Sequence, residues 1–421
     1  MSFQQGLSGL NASSKSLEVI GNNIANANTY GAKTARAEFA DAYAAALNGA
    51  GTSEVGIGTT LSAVAQQFTQ GSITTTSNPM DLAINGAGFF QVTDGKNPTE
   101  YTRNGQFKVD RNGYVVNNQQ QQLMGYMADA TGTIAPGQAK PLQLPTGNVA
   151  PNPTKAIKLE MNLDARLATT APTAGAPINY ADPTTYNNAT SLSVYDAKGQ
   201  DVALTYYFQK AGTDTWKVFA TANGVDVGSG GTGNPAAITT VTFPANGSAP
   251  TAPTAPVSFN VPAGTNAAGA STLPISGVTV DLSKTTEFGA AFSVTSLTQD
   301  GFSAGQLTGI GIAANGIVTA KYSNGQSRPV GQVEIANFRN PQGLQSLGGN
   351  SWGRTYASGD PTTGVPGDGN LGSLQAGALE QSNVDLTGEL VNMITAQRIY
   401  QANAQTIKTQ DQVLQTLVNL R

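Results

Sequence analysis

Residues 387–421 read TGELVNMITAQRIYQANAQTIKTQDQVLQTLVNLR, a stretch with no proline and a single glycine. From Leu386 onward, one set of residues recurs at alternating steps of four and three: Leu386, Leu390, Met393, Gln397, Tyr400, Ala404, Ile407, Asp411, Leu414 and Val418. This heptad spacing places the set on one side of an α-helix and is typical of coiled coils. Most residues off this side are Gln, Asn, Thr, Lys or Arg. The stretch therefore predicts a helix about 50 Å long whose apolar side needs a partner.

The same spacing recurs near residue 1, in Phe3, Leu7, Leu10, Ser14, Leu17, Gly21 and Ile24. Ser2 and Gln5 predict a capping-box start, in which both side chains satisfy free N–H groups of the first turn. The run at residues 26–31 is rich in Asn and Gly, which tolerate left-handed backbone, so we expect the helix to end there.

We interpret the two helices as a surface for self-assembly. Its apolar members, which we call the predicted seam, are Phe3, Leu7, Leu10, Leu17, Ile24, Leu386, Leu390, Met393, Tyr400, Ala404, Ile407, Leu414 and Val418. An alternative is that both helices pack on an ordinary globular core. The polar heptad positions Ser14, Gln397 and Asp411 favour an interface that several chains share.

Composition narrows the class of protein. Charged residues make up 11 % of the 421 residues and the net charge is −4, so no basic field is available to hold nucleic acid or an acidic membrane. Cys and His are absent, which removes disulfides, thiolate chemistry, the commonest general base and the commonest zinc ligand. No run of about 18 apolar residues predicts a membrane span, and the first residues lack the pattern of a cleaved signal peptide. We expect no catalytic residue, metal, cofactor, nucleic-acid partner or membrane insertion.

Between the helices, Gly, Asn and Pro punctuate short alternating segments that predict β-structure. Residues 37–51 are the exception: Phe39, Tyr43 and Leu47 at four-residue spacing predict a short amphipathic helix or a loosely ordered arm. Residues 55–73 then lead into extended structure. We interpret residues 31–73 as a connector.

Asn-Gly pairs predict the hairpins of an inner β domain, because both positions accept positive φ. Four turns and the strands that they join are predicted: residues 80–84 with 89–92, 101–103 with 107–109, 310–312 with 317–322, and the turn at 324–325 before 333–336. A further turn at Asn112-Gly113 precedes residues 114–116.

A second β-rich unit is predicted between residues 147 and 298. Leu192 and Val194 alternate with polar residues, and Val202, Leu204, Tyr206 and Phe208 do the same after the turn at 196–199. Period-two alternation gives a sheet with one buried and one wet face. Residues 216–219 and 257–261 predict further strands.

The pattern of short β segments joined by Asn-Gly turns occurs before residue 147 and again after residue 298. We therefore infer that the second unit is inserted into the first. The fold is expected to be mainly β and multidomain, with nested β-rich inner and outer domains and terminal α-helices that form a coiled-coil-like core domain. The predicted division is as follows: residues 1–30 and 380–421 form the helical core, 31–73 and 360–379 the connector, 74–146 and 299–359 the inner domain, and 147–298 the outer domain.

No stretch predicts catalysis. Gly86-Ala-Gly88 and the glycines at 228–233 lack the strand-then-helix context of a phosphate loop, so turns explain them better. Residues 110–113 resemble the start of a calcium loop, but no Glu stands at its twelfth position. Scattered Asp and Glu leave open one alternative of another class, a secreted glycan-binding or glycan-cleaving β protein.

Several motifs resemble those of the flagellar axial proteins of bacteria, the rod and hook subunits. The motifs are NNIANANTYGAK at 22–33, DLAI at 81–84, GFF at 88–90, YTRNGQF at 101–107, YSNG at 322–325, GALEQSNVDL at 377–386 and QRIYQANAQTIKTQDQ at 397–412. Ala32 departs from the family pattern, in which many relatives have Phe. The motifs at both termini are common to rod and hook subunits, and the long β insertion favours the hook type over the distal rod type. Residues 147–298 carry little that matches.

The resemblance implies a subunit that polymerises beneath a cap into a curved tube, which joins rod to filament and transmits motor torque as a universal joint. Family subunits leave the cytoplasm unfolded through the flagellar type III export apparatus, without a cleaved signal. The implied partners are further copies of the chain, the rod, the hook–filament junction proteins, the hook cap and the export apparatus. The implied location is the extracellular flagellum, in the hook or basal body. The straight and stiffer distal rod protein is the nearest alternative.

Overall fold

Long α-helices occupy both terminal segments of the computed structural model, which describes residues 2–42, 56, 58–129, 132–135, 137–170, 178–228 and 235–419. Helix α1 spans Ser2–Ala25 and helix α2 spans Leu386–Asn419. Helix α1 ends where the sequence predicts, and Gly31, in the Asn- and Gly-rich run beyond it, has a φ of +71°. The prediction of a mainly β fold with terminal helices is confirmed.

The described residues between the helices form strands joined by turns and two short 3-10 segments, Pro183–Thr185 and Pro341–Gly343. The first strands are β1 (Ala35–Ala42), β2 (Gly58–Gln66), β3 (Ile73–Thr75), β4 (Leu82–Asn85), β5 (Phe89–Thr93), β6 (Glu100–Thr102), β7 (Lys108–Val109), β8 (Val115–Val116), β9 (Gln122–Met127) and β10 (Lys140–Pro141). The next are β11 (Ala156–Asn162), β12 (Asn188–Tyr195), β13 (Asp201–Gly212), β14 (Thr215–Ala222), β15 (Val225–Asp226), β16 (Thr239–Thr242), β17 (Val257–Val261), β18 (Gly264–Thr265), β19 (Ser271–Thr272), β20 (Ile275–Asp281) and β21 (Ser293–Gln299). The last are β22 (Leu307–Ile312), β23 (Ile317–Tyr322), β24 (Ser327–Val333), β25 (Ile335–Asn337), β26 (Gln345–Gly348), β27 (Ser351–Gly353), β28 (Thr362–Gly364), β29 (Ser373–Ala376) and β30 (Ala378–Glu380).

The chain divides into two units. Unit 1 comprises residues 1–146, 309–321 and 327–421, and unit 2 comprises residues 147–308 and 322–326. Unit 2 is thus an insertion in unit 1. The finer division of unit 1 into helical core, connector and inner domain stays a prediction.

Unit 1 contains a large, mostly antiparallel sheet whose main path runs β22-β23-β24-β9-β5-β6-β27-β26. Its core is built from apolar side chains that both arms of the interrupted unit contribute, among them Leu82, Phe90, Phe107, Leu123 and Ile335. A smaller aromatic cluster, in which Phe89, Tyr101, Phe338 and Trp352 pack edge to face, lies in the same unit. Segments from before and after the insertion therefore fold together.

Three of the predicted turns are confirmed and two predicted hairpins are wrong. The turns at Asn112-Gly113, Asn315-Gly316 and Asn324-Gly325 join paired strands β7–β8, β22–β23 and β23–β24. By contrast, β4 pairs with β29 instead of β5, and β6 pairs with β5 and β27 instead of the segment at 107–109. Strands β29 and β27 lie far along the chain, and local turn chemistry does not reveal such long-range pairing. The other partner of β6 is its neighbour in sequence, β5, so the local hairpin lies before β6 and not after it.

Unit 2 is a two-sheet sandwich. One sheet has the order β12-β13-β14-β15, with β16 beside β14, and the other has the order β17-β20-β11-β21. Val202, Leu204, Tyr206 and Phe208 on β13 are completely buried, which confirms the predicted alternation. Tyr206 meets Phe259 of the opposite sheet edge to face, with ring centroids 6.4 Å apart. The insertion therefore has a core of its own.

Strands β1 and β2 form an antiparallel two-stranded ribbon in unit 1. The prediction of a helix or loose arm from residue 37 is therefore wrong as far as Ala42; Tyr43 and Leu47 lie outside the described residues. The four-residue spacing from Phe39 was misleading because positions i and i+4 lie on the same face of a strand as well as of a helix. Both strands keep an exposed face, so the ribbon buries little apolar surface by itself.

Candidate self-assembly surface

Helices α1 and α2 pack against each other as an antiparallel pair in unit 1. Near the start of α1, Gly6 lies against Ile407, and near its end the Asn23 amide donates to Glu389 Oε1 at 3.2 Å. Between these points, Asn403 Nδ2 donates to Ser13 Oγ at 3.5 Å. The helices therefore meet over nearly the whole length of α1.

Small and polar residues form this contact on α1. The buried positions of the helix are Gly6, Ser13, Ile20 and Asn23, and only one of them has a large apolar side chain. A Cβ added at Gly6 would lie 3.1 Å from Ile407 Cγ1, and one added at Gly9 would lie 2.8 Å from Asn403 Nδ2. Close backbone approach thus replaces interdigitated large side chains, and the pairing leaves most large apolar side chains of the helices unburied.

The predicted seam lies beside this contact, not inside it. On α1 the four buried positions fall one residue before the heptad positions Leu7, Ser14, Gly21 and Ile24, which is a rotation of about 100° around the helix. Phe3 and Leu7 are about half exposed, and Leu10, Leu17 and Ile24 are half-buried. On α2, Leu386, Leu390, Tyr400 and Leu414 are exposed, whereas Met393, Ala404 and Ile407 are half-buried; Val418 is helical. Of these residues, Ile407 lies against α1, at Gly6.

Sequence reasoning missed a second set of exposed apolar residues on α2. Val391, Ile394, Ile399 and Val413 are 51–59 % exposed, so the expectation of a polar surface outside the seam is wrong. A search confined to one heptad stripe overlooks them because they face other directions around the helix. Apolar side chains therefore surround much of α2, which is typical of a helix that is covered on several sides.

Helix α2 also extends past its partner. It continues for twelve residues beyond Ile407, whereas α1 has four residues before Gly6. The overhang is about 12 Å at 1.5 Å per residue. Val413 and Leu414, on this overhang, are both more than half exposed.

The β1–β2 ribbon packs on another side of α1. Gln5 Nε2 donates to the Gly56 carbonyl at 2.7 Å, and Asn23 exchanges two hydrogen bonds with the backbone of Ala35. The ribbon adds exposed apolar side chains of its own, from Phe39, Leu61 and Val64. Together with α2 it leaves the side of α1 that carries Phe3 and Leu7 uncovered.

A buried ionic cluster fixes the base of the helix pair. Glu380, just before α2, receives Lys33 Nζ on Oε1 at 2.6 Å and Arg103 Nη1 on Oε2 at 2.9 Å. Lys33 also donates to the Thr69 carbonyl, and the Gly71 amide donates to Glu380. Burial lowers the pKa of Lys33, and the Glu380 carboxylate opposes that change. These bonds join the segments after α1 and before α2 to the sheet of unit 1.

Backbone packing reinforces that base. Gly31 donates to the Glu380 carbonyl, and a Cβ at Gly31 would lie 2.5 Å from the amide nitrogen of Asn104. Asn383 Oδ1 accepts from both the amide and the hydroxyl of Thr34. Ala32 is buried, and the half-buried Tyr30 accepts at its carbonyl from Asn350. The motifs at 22–33, 101–107 and 377–386 thus meet in space.

In the part of the chain that the structure describes, no group of three or more acidic side chains is placed to hold a metal. Neither described helix has an apolar stretch that would cross a membrane. The features that stand out are therefore exposed apolar helices on a rigid β base, the architecture of an assembly subunit.

Four family models match segments of the chain. Residues 3–33 match "Flagella basal body rod protein", residues 83–166 match "Flagellar hook protein FlgE/F/G D1 domain", residues 162–302 match "Flagellar basal body protein FlaE D2 domain", and residues 375–420 match "Flagellar basal body rod FlgEFG protein C-terminal".

Curated relatives match over the full length. The chain is 41 % identical to the flagellar hook protein FlgE of Salmonella typhimurium and 40 % identical to that of Escherichia coli K12, covering 100 % of both sequences in each case. A solved hook protein of Helicobacter pylori, FlgE2, has the same fold with a TM-score of 0.53 at 15 % identity, over 73 % of this chain and 99 % of that one. Terminal helices and nested β units thus define a flagellar axial protein. The chain belongs to the flagellar hook protein family, a structural family whose members assemble within the flagellum.

Proposed function

We propose that copies of this chain polymerise into the curved tube of the flagellar hook, which joins rod to filament and transmits torque while it bends. The observation that supports this most is the exposed apolar surface of α2 beside a helix contact built from small and polar residues. In an isolated subunit this apolar surface stays in contact with water and does not stabilise the fold. In a polymer, neighbouring subunits would bury it.

The predicted seam is the proposed contact between copies. Its most exposed members, Phe3, Leu7, Leu386, Leu390 and Leu414, lie off the intramolecular pair and remain available to neighbours. Burial of one such side chain contributes roughly 1.5–3 kcal/mol before entropy is subtracted. Val391, Ile394, Ile399 and Val413 extend this surface to further sides of α2. A helix covered on several sides suits the wall of a tube.

The α2 overhang favours an open polymer over a closed dimer. We propose that a neighbour covers its apolar residues with a different surface, the exposed Leu386 and Leu390 at the other end of α2. Contacts between different surfaces run head to tail and do not close on themselves unless the rotation permits it.

In the proposed tube, each predicted domain has a different position and role. Residues 1–30 and 380–421 form the tube core, residues 31–73 and 360–379 connect it to the inner β domain at 74–146 and 299–359, and residues 147–298 form an outer domain. With charged residues at 11 % of the chain, neighbouring outer domains face each other with few ion pairs to break. Such surfaces suit a tube whose subunits slide as it bends.

The chain passes unfolded through the flagellar type III export apparatus without a cleaved signal, assembles extracellularly beneath the hook cap, and contacts the rod and the hook–filament junction proteins. It has no enzymatic activity in this role. The residue composition, with no His and no Cys, supports a purely structural part.

Electron microscopy of the purified full chain at rising concentration tests the proposal. Curved tubes are the expected product. Straight tubes would point instead to a distal rod subunit. A chain that stays monomeric at every concentration and binds or cleaves glycans would overturn the proposal in favour of a secreted β protein.

A further inference from the structure

The ionic cluster at the base of the helix pair carries a surplus positive charge. The side chains of Lys33 and Glu380 have no exposure to solvent, and that of Arg103 is 5 % exposed. Among the described residues, Glu380 and Arg103 are the charged groups that act on Lys33. Two buried cations therefore share one carboxylate. Buried charge without a counter-charge is costly, so the cluster would gain from the loss of one cation.

Burial also favours the reactive form of the Lys33 amine. Desolvation lowers the pKa of Lys33, and the Glu380 carboxylate opposes that change. The neutral amine has the free lone pair that attacks a carbonyl carbon. Glu380 Oε1 lies 2.6 Å from Lys33 Nζ and is thus placed to take the proton that the amine gives up.

A side-chain amide lies beside this amine. The Thr69 carbonyl oxygen accepts from Lys33 Nζ at 2.7 Å and from Asn383 Nδ2 at 3.3 Å. Asn383 Nδ2 also donates to the Thr69 hydroxyl at 2.7 Å, which fixes the amide in this place. The amine of Lys33 and the amide of Asn383 therefore meet at one oxygen atom.

The carbonyl group of the Asn383 amide is polarised. Its Oδ1 accepts from the Thr34 amide at 2.8 Å and from the Thr34 hydroxyl at 2.7 Å. Two donors on one carbonyl oxygen stabilise the negative charge that develops when a nucleophile adds to the carbon, as in an oxyanion hole. Thr34 follows Lys33 in the chain, so one short segment supplies both the nucleophile and the donors.

We propose that Lys33 and Asn383 form an intramolecular isopeptide bond, with Glu380 as the proton carrier. Lys33 Nζ gives one proton to Glu380, approaches Asn383 Cγ to about 3–3.5 Å and adds to it. The Nζ–Cγ bond forms and the Cγ–Nδ2 bond breaks. The departing nitrogen takes the second Nζ proton and the proton held by Glu380, and leaves as ammonium. The reaction needs no further reactant.

The product has a balanced charge. Lys33 becomes a neutral amide, while Arg103 Nη1 stays 2.9 Å from Glu380 Oε2 as a neutral pair. A lone Lys–Glu pair would be left with an unpaired buried carboxylate after the same reaction. The second cation, Arg103, is therefore the feature that favours the product.

The bond joins the segment after α1 to the segment before α2. All residues between 33 and 383 then lie inside one covalent ring. A pull on the two helices is carried across the base by this bond and does not pass along the strands inside the ring. The bond itself forms within one chain and does not depend on the proposed polymer.

The mass of the folded, full-length monomer tests the proposal. Denatured for measurement, the wild-type chain is expected to be about 17 Da lighter than its sequence, because one ammonia has left. Digestion should yield a branched peptide that joins residues 33 and 383. Lys33→Arg keeps the positive charge but lacks the amine, so it should have the full sequence mass. Glu380→Gln should react at least about tenfold more slowly. A wild-type chain that keeps its full sequence mass would overturn the proposal.

A second variant and an internal control separate this bond from other losses of ammonia. Asn383→Asp is expected to lose about 18 Da instead, because its carboxyl group releases water to the same amine. A loss of ammonia that persists in Lys33→Arg would mean ring closure of an Asn on its own backbone, and would contradict the proposal. Lys210, whose buried amine lies 3.3 Å from Glu287 and donates to the Ala165 carbonyl, should stay unmodified. Because every measurement uses the monomer, failure of the chain to polymerise would count against the proposed function alone.

Discussion

Lys33 Nζ lies 2.6 Å from Glu380 Oε1, and neither side chain is exposed to solvent. The two residues are far apart in the sequence, one just after α1 and the other just before α2. Arg103 of the β sheet completes the cluster on the other carboxylate oxygen. One buried carboxylate thus ties both helices to the domain that carries them.

Glu380→Gln is expected to destabilise unit 1 by about 3–5 kcal/mol, because it leaves two buried cations without their counter-charge. The chain has two Trp residues, Trp352 in unit 1 and Trp216 in unit 2, so fluorescence in Trp216→Phe and Trp352→Phe backgrounds follows each unit in urea. Unit 2 should unfold as in the wild type.

The matched control for that experiment is Glu38→Gln. Glu38 pairs with Arg36 at 2.6 Å on the surface, where ion pairs contribute about 0–1 kcal/mol. An equal effect of the two substitutions would contradict a special role for the buried cluster.

Leu414→Asp is expected to abolish polymerisation and leave the subunit folded. The residue is 54 % exposed on the α2 overhang, so the charge is harmless in the monomer and is buried only on assembly. Pelleting of polymer by ultracentrifugation measures the effect, and Gln412→Asp adds the same charge at an exposed polar position of the helix. If Leu414→Asp formed tubes at the same concentration as the wild type, the predicted seam would not be the contact between copies.

Gly6→Leu is expected to separate α1 from α2, because even a Cβ at this position would lie 3.1 Å from Ile407. Hydrogen exchange across residues 400–410 should then accelerate in the monomer. Gly21→Leu is the control in the same helix, since a Cβ there has open space around it. Equal exchange in both variants would show that close approach at Gly6 does not hold the pair.

In dilute solution the terminal segments are expected to be cut by proteases before either β unit. The helix contact buries few large apolar side chains, and isolated helices are marginal in water. Cleavage sites mapped by mass spectrometry should fall first within residues 1–30 and 385–421, and the same sites should resist cleavage in the polymer. Monomers that keep both segments intact while a β unit is digested would count against assembly as the source of helix stability.

Alkaline pH is expected to weaken unit 1 through Tyr126. Its hydroxyl donates to Glu334 Oε1 at 2.7 Å, and burial together with this carboxylate raises the pKa of Tyr126 to about 12. A raised pKa in the folded state means that the stabilisation is complete below the ordinary pKa of about 10 and is lost as the pH rises towards 12. Urea midpoints of the unit 1 transition between pH 8 and 11.5 should fall less steeply for Tyr126→Phe than for the wild type. Identical slopes would exclude this contribution.

The sequence predicted those parts of the fold that depend on interactions between residues close together in the chain. Both terminal helices, the buried alternation of β13 and the turn at Asn315-Gly316 follow from period and turn chemistry alone. The pairing of β4 with β29 and of β6 with β27 does not, since those partner strands lie beyond the insertion. The same holds for Glu380, whose burial depends on Lys33 and Arg103 reaching it from distant segments.

The assembly surface was predictable in kind but not in detail. A heptad stripe indicates that a helix packs against another helix. It does not indicate which residues contact the other helix of the same chain and which remain exposed. On α1 that partner takes the small residues one position before the seam, because Gly6 and Gly9 allow a close approach.

The segments by which the chain first enters and later leaves the main part of unit 2 lie side by side: Val149 bridges Gly305, and Asn152 bridges Phe302. A foreign domain that replaces the residues between these bridges therefore needs termini that are close together. The turn at residues 322–326, which also belongs to unit 2, would stay with the host chain.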